Sequence, residues 1–209
     1  MDFALLIKKT LTLTALVDPF LAAPLFMAAT ATLGRSAKIA FARQLAVVVA
    51  VGLLAGGLLG LHVLSYMGVS LPAMQLAGGL IAFAVAMAMV VAKEHAVKLT
   101  SGETQDASMQ ASLVPLGIPL LVGPASLSYV MATSHVIHAW DLVHIVGAPL
   151  VVAAVTWLVL EGAARTEKLF SPKTLNVLER LGGFLLAAIA VEMMAAGMRG
   201  LFPVLAPAA

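Results

Sequence analysis

Between Arg43 and Lys93 the chain reads QLAVVVAVGLLAGGLLGLHVLSYMGVSLPAMQLAGGLIAFAVAMAMVVA, residues Gln44 to Ala92, and these 49 residues contain no Asp, Glu, Lys or Arg. A membrane-crossing helix needs about 20 consecutive apolar residues, so the run is long enough for two. Met67-Gly68-Val69-Ser70-Leu71-Pro72 near its middle carries the glycine and proline that stop one helix and start the next. The pattern predicts span 2 over residues 44–66 and span 3 over residues 72–92.

The same reading extends outward in both directions. Residues 4–33 form span 1, interrupted at Asp18-Pro19. Lys8 and Lys9 ahead of an apolar stretch imitate a signal peptide, but the apolar character runs past Asp18 to Gly34, longer than the h-region of such a leader. The polar run Lys93 to Asp106 is the longest hydrophilic connection, and the uncharged run Ala107 to Trp140 holds span 4. Leu142–Leu160 is span 5 and Leu181–Met198, broken only by Glu192, is span 6. The 209 residues are 62% hydrophobic and 11% charged, with a mean hydropathy of +1.06, against about 25% charged residues in soluble domains. Six spans leave no room for a soluble domain, so residues 1–209 read as one transmembrane domain, with repeat 1 at 1–92, a polar loop at 93–110 and repeat 2 at 111–209.

The absence of cysteine excludes disulfides, thiolate metal sites and cysteine nucleophiles. The net charge of +2 resides in loops, as orientation signals do, and gives no nucleic-acid signature. Nine basic residues (Arg35, Lys38, Arg43, Lys93, Lys98, Arg165, Lys168, Lys173 and Arg180) fall on one side of the predicted topology, and Lys8, Lys9 and Arg199 on the other. By the positive-inside rule the richer side is cytoplasmic and both termini are periplasmic, in a multi-pass protein of the bacterial inner membrane.

Two features repeat. Pro19 and Pro24 in span 1 and Pro119 and Pro124 in span 4 are pairs of prolines five apart, at an offset of 100; Gly78-Gly79 in span 3 and Gly182-Gly183 in span 6 are paired glycines at an offset of 104. Two matches in the same order imply a duplicated three-span unit. An odd number of spans per unit makes the second enter the membrane from the opposite side, so the expected fold is all-α: six transmembrane helices as two inverted repeats, with helices 1 and 4 broken. Chance similarity in Ala/Gly/Leu-rich sequence and ordinary proline kinks are the competing readings. Broken helices at membrane depth leave backbone groups that lipid cannot satisfy, and such segments at matched positions point to a transporter site between the repeats.

The residues that carry these breaks, Asp18-Pro19-Phe20-Leu21-Ala22-Ala23-Pro24-Leu25-Phe26 and Pro115-Leu116-Gly117-Ile118-Pro119-Leu120-Leu121-Val122-Gly123-Pro124, resemble the MarC family, and the resemblance covers essentially all six spans. That family is similar in architecture to LysE-type exporters and includes transporters of small neutral amino acids. Where it usually reads Asn-Pro-x-Gly-Asn, this chain has Asp18-Pro19-Phe20-Leu21-Ala22, and where a glutamine is common in the last span it has Glu192.

Candidate solute- and ion-binding residues are therefore Asp18, Pro19, Pro24, Pro119, Gly123, Pro124, Ser126 and Glu192. A carboxylate at mid-membrane costs about 2.5–3.5 kcal/mol on insertion scales, so Asp18 and Glu192 need a partner, a proton or water. Asp18 before Pro19 also fits a helix cap, and Glu192 also fits a residue turned to the exterior near Arg199. If both acids line one cavity, a shared proton or a bound cation keeps them inside. Ser126 and Ser128 offer hydroxyls, though serine in membrane helices often bonds back to its own backbone. His135, His138 and His144 with Asp141 read as interfacial polar residues rather than as metal ligands, so no metal and no cofactor are expected. Gly52, Gly56 and Gly60 form a ladder of small residues suited to close helix packing. Trp140 and Trp157 fit interfacial anchors.

The expected function is secondary transport of a small solute, plausibly small neutral amino acids, coupled to protons or sodium, with the lipid bilayer as surroundings and a homo-oligomer as a further possibility. The rivals are an intramembrane hydrolase using Asp18 and Glu192 as an acid pair and a membrane assembly protein without transport. No HExxH, GxSxG or Walker motif is present, and no enzyme is expected.

Overall fold

The computed structural model describes residues 3–91, 121–134, 139–166 and 172–205. Seven helices make up this part of the chain: α1 Phe3–Val17, α2 Pro19–Ala29, α3 Arg35–Tyr66, α4 Leu71–Val91, α5 Pro124–Ala132, α6 Ala139–Arg165 and α7 Pro172–Leu201, followed by a 3-10 turn at Pro203–Leu205. No strand occurs among the described residues. Arg35–Tyr66, Leu71–Val91, Leu142–Arg165 and Arg180–Leu201 are each long and apolar enough to cross a membrane. α1, α2 and α5 have 15, 11 and 9 residues, and at 1.5 Å per residue none alone reaches across a hydrocarbon core of about 30 Å. α1 and α2 end to end do.

The uncharged run divides as its turn residues dictate. Gly68 adopts φ +69, Gly68 N–H donates to Ser65 C=O, and Val69 N–H donates to Leu64 C=O. This is the glycine-terminated end that closes the last carbonyls of α3. Ser70 Oγ then accepts from Ala73 N–H at the start of α4. α6 begins earlier than Leu142, taking in Trp140 and Asp141, and the eight residues Pro172–Glu179 precede the apolar part of α7.

Small residues set how closely the helices approach. α4 and α7 run antiparallel with nearly touching backbones. A methyl group placed on Gly79 would stand 2.9 Å from the Ala190 carbonyl oxygen and from the Met194 nitrogen; one on Gly183 would stand 3.2 Å from the Ala86 carbonyl oxygen; and one on Gly197 would stand 2.7 Å from the Pro72 carbonyl oxygen. The ladder on α3 is a packing surface, as its spacing predicts. Gly52 receives Val122, Gly56 receives Leu127 and Gly60 receives Met131, so α3 and α5 lie side by side in the same direction. Lipid gives no hydrophobic drive for helix association, and this closeness supplies the dispersion contacts that replace it. Every extensive helix–helix contact among the described residues joins an element before residue 92 to one after residue 120: α4 with α7 and α5, α3 with α6 and α5, α1 with α6, α5 and α7, and α2 with α6 and α7.

Candidate functional site

The first break falls where Asp18-Pro19 predicts it. Asp18 has φ +43, a left-handed conformation that Asp tolerates better than most residues. Its N–H still donates to Thr14 C=O, and its own C=O accepts from Ala22 N–H. Pro19, without an N–H, occupies the first position of α2, where none is needed. The second break has different chemistry. Gly123 is extended (φ −78, ψ 170), caps α5 with no side-chain bond, and passes the chain to Pro124 at the start of the helix.

Pro24 and Pro124 are thus not equivalent. Pro24 lies inside α2, and the helix starts are at Pro19 and Pro124. Asp18 and Gly123 hold corresponding places at a separation of 105, close to the 104 that separates the glycine pairs. Pro119 lies outside the described residues.

Polar contacts fix how these segments lie together. Lys9 Nζ donates to Thr133 C=O at 2.7 Å, placing a cation at the negative end of α5. One turn further along, Thr12 of α1 stands beside the Tyr129 hydroxyl of α5. Leu16 then packs on the same apolar cluster as Ala125. As α1 advances from Lys9 to Thr12 to Leu16, α5 recedes from Thr133 to Tyr129 to Ala125.

The first glycine of each pair faces a break. Asp18 Oδ2 lies 3.6 Å from where a Gly182 methyl would sit, whereas a methyl on Gly78 would meet Ser128 Cβ at 2.9 Å and the Pro124 carbonyl oxygen at 3.2 Å. The second glycines face each other's helices reciprocally. Gly79 meets Ala190 and Met194, and Gly183, 104 residues later, meets Ala86 and Val90, each 104 residues earlier.

Asp18 is half-buried and takes part in a further interaction within the protein, as does Lys9. Ser126 is fully buried and bonds back to Gly123 C=O at 2.9 Å, while Ser128, also fully buried, donates to Met74 C=O of α4 at 3.0 Å. Glu192 is exposed on the surface of the chain and forms no ion pair with Arg199 among the described residues. Gly182 stands beside Asp18, and Glu192 is ten residues further along α7, about 15 Å by helical rise. A shared proton, or two carboxyls acting on one bond, needs far less.

His135 and His138 lie outside the described residues, and His144 Nδ1 is buried without a hydrogen-bond partner. No group of three His, Cys, Asp or Glu gathers among the described residues. Thr12, Tyr129 and Lys9 join the site only through tertiary contacts, and nothing in their local sequence marks them.

The sequence profile of the MarC family of integral membrane proteins matches residues 3–202. The chain belongs to the MarC family. It is 30% identical to the UPF0056 membrane protein YvbG of Bacillus subtilis (strain 168), over 98% of this chain and 99% of that protein. It is 29% identical to the UPF0056 membrane protein MJ1677 of Methanocaldococcus jannaschii, over 96% and 98%. To the UPF0056 membrane protein YhcE of Escherichia coli (strain K12) it is 27% identical, over 97% and 95%. These names describe membrane proteins and give no substrate. No solved structure matches the chain significantly. MarC membership and the apolar helices together make this an integral, multi-pass membrane protein.

Proposed function

We propose that this MarC-family protein is a secondary transporter of a small solute in the bacterial inner membrane, with small neutral amino acids as the substrate class and protons or sodium as the coupling ion. On this reading six spans form two inverted three-span repeats, and both termini are periplasmic. The observation that carries the reading is the antiparallel register of α1 and α5, which, if continued, would bring the start of α2 to the start of α5. The reciprocal contacts of Gly79 and Gly183 support the inverted duplication, because a two-fold relation between the halves requires such matched pairs.

At a helix start the first amides have no partner within the helix and carry the positive end of its dipole. α5 has no side-chain cap, so a solute carboxylate fits its amides, and Asp18 accepts the ammonium of the same solute. A zwitterion satisfies both. Alternating access then consists of one repeat rocking on the other, for which contacts between the halves form the moving surface. The test is flux of labelled alanine into proteoliposomes under a proton or a sodium gradient. Gradient-dependent uptake that is reduced at least tenfold in Asp18→Ala supports the reading. Amino-acid flux no greater than in empty vesicles under either gradient sinks it. For orientation, a C-terminal alkaline phosphatase fusion is expected to be active and a fluorescent-protein fusion dark; the reverse pattern overturns the topology.

A further inference from the structure

Glycine inside a helix is less stable than alanine, so a glycine within a span calls for a reason. For Gly78, Gly79 and Gly183 the reason is packing: a methyl group on them would meet its nearest neighbour at 2.9, 2.7 and 2.8 Å. Gly182 differs. Its methyl would lie 3.6 Å from Asp18 Oδ2 and 3.8 Å from Met89 Cε, both ordinary contacts. Packing among the described residues does not require glycine at this position, and the space it leaves open borders a carboxylate.

Met89 of α4 closes one side of that space. It is buried, its Cβ lies 2.8 Å from the methyl position on Gly183, and its Cε reaches Gly182, so the side chain lies across the glycine pair. The backbones behind it are close as well, since a methyl on Gly183 would stand 3.2 Å from the Ala86 carbonyl oxygen. The corresponding face of the other half has no such space, because Ser128 and the Pro124 carbonyl fill it against Gly78.

We infer that Gly182 and Met89 set the size limit of the solute held at Asp18, admitting a hydrogen or a methyl group beside its ammonium and turning away larger or branched groups. The inference rests on the assignment of the solute ammonium to Asp18. An ammonium that donates to a carboxylate oxygen lies about 2.8 Å from it, and the carbon bonded to its nitrogen then lies about 3.6 Å away. The methyl position on Gly182 stands at the same 3.6 Å from Asp18 Oδ2. Glycine at 182 thus leaves open a place that the solute's own carbon skeleton takes, and the Met89 methyl is the next atom it meets.

Equilibrium binding of labelled glycine, alanine and valine to the purified full chain in lipid nanodiscs reads the size limit without transport. The native protein should bind glycine and alanine, and valine about tenfold more weakly or worse, as expected when a pocket must take extra methyl groups. Gly182→Ala should fold, because its methyl meets only ordinary contacts, and should weaken alanine about tenfold relative to glycine. Met89→Ala keeps the Cβ on Gly183, removes the end that faces Gly182, and should bring valine to within about threefold of alanine. Met89→Val, a smaller truncation, serves if the alanine variant does not fold. An alanine-to-glycine ratio unchanged in Gly182→Ala, or valine rejected by the Met89 variant as strongly as by the native protein, overturns the inference even where native flux is gradient-driven. Absence of glycine and alanine binding to the native protein also overturns it. Binding with the expected ratios but no flux under either gradient refutes the transport reading and leaves the size limit standing.

Discussion

The two breaks begin alike and are finished differently. Each puts a proline at the first helical position, but Asp18 holds a strained left-handed conformation with its carboxylate toward Gly182, whereas Gly123 is extended, uncharged and capped by nothing from its own side chain. The surroundings differ in the same sense. A methyl on Gly182 meets Asp18 Oδ2 at an ordinary 3.6 Å, while the equivalent methyl on Gly78 is stopped by Ser128 Cβ at 2.9 Å. The glycine face beside the charged break has room for a methyl group, and the glycine face beside the neutral break does not. On the proposed duplication the scaffold carries one asymmetric charge, and that asymmetry would give the proposed site a direction for a polar solute.

The largest expected effect separates the two glycines that look interchangeable in sequence. Gly78→Ala overpacks the neutral break and should lower stability by about 1–3 kcal/mol, while Gly182→Ala should stay within about 0.5 kcal/mol. Thermal unfolding in detergent reads both; equal losses would mean that the breaks are packed alike. Lys9→Met removes a charge-assisted bond to Thr133 and should cost about 1.5 kcal/mol. Hydrogen exchange should rise at residues 129–134 and stay unchanged in α2; a uniform rise would show that Lys9 does not act on α5 in particular. Smaller effects come from exchanging the break residues. Asp18→Gly relieves the positive φ and should stabilise the fold by up to about 1 kcal/mol, with transport reduced. Gly123→Asp adds a side-chain cap to α5 worth only a few tenths of a kcal/mol over glycine. A destabilised Asp18→Gly would show that the carboxylate holds the break together rather than merely tolerating it.

Much of this was legible from local signals. The run Gln44–Ala92 contains α3, its glycine-terminated end and α4 because burial in lipid removes every charge from such a stretch, and Asp18-Pro19 marks a break because an acid before a proline disfavours continuing the helix. Proline spacing does not tell which proline starts a helix. Pro24 sits within α2, since a missing N–H inside a membrane helix is tolerated when neighbouring groups compensate. What separates it from Pro19 is the backbone of the preceding residue, which proline spacing does not encode. The pairing of Thr12 with Tyr129 and the distance between Asp18 and Glu192 depend on how helices from opposite halves align, and no local pattern carries that. The fate of Ser126 was legible in part: its back-bond to Gly123 is the ordinary behaviour of serine near a helix start.

The central claim is that the breaks of the two halves meet at one depth, and because the chain has no cysteine, paired substitutions test it without background. Leu16→Cys with Ala125→Cys probes the register beside the breaks, and Lys9→Cys with Thr133→Cys probes its far end. In membranes both pairs should cross-link with a short thiol reagent, and added alanine should slow the first pair and leave the second unchanged. If the Lys9 and Thr133 positions bridge while Leu16 and Ala125 never do in a folded, inserted protein, α1 and α5 diverge before the breaks and the account is contradicted.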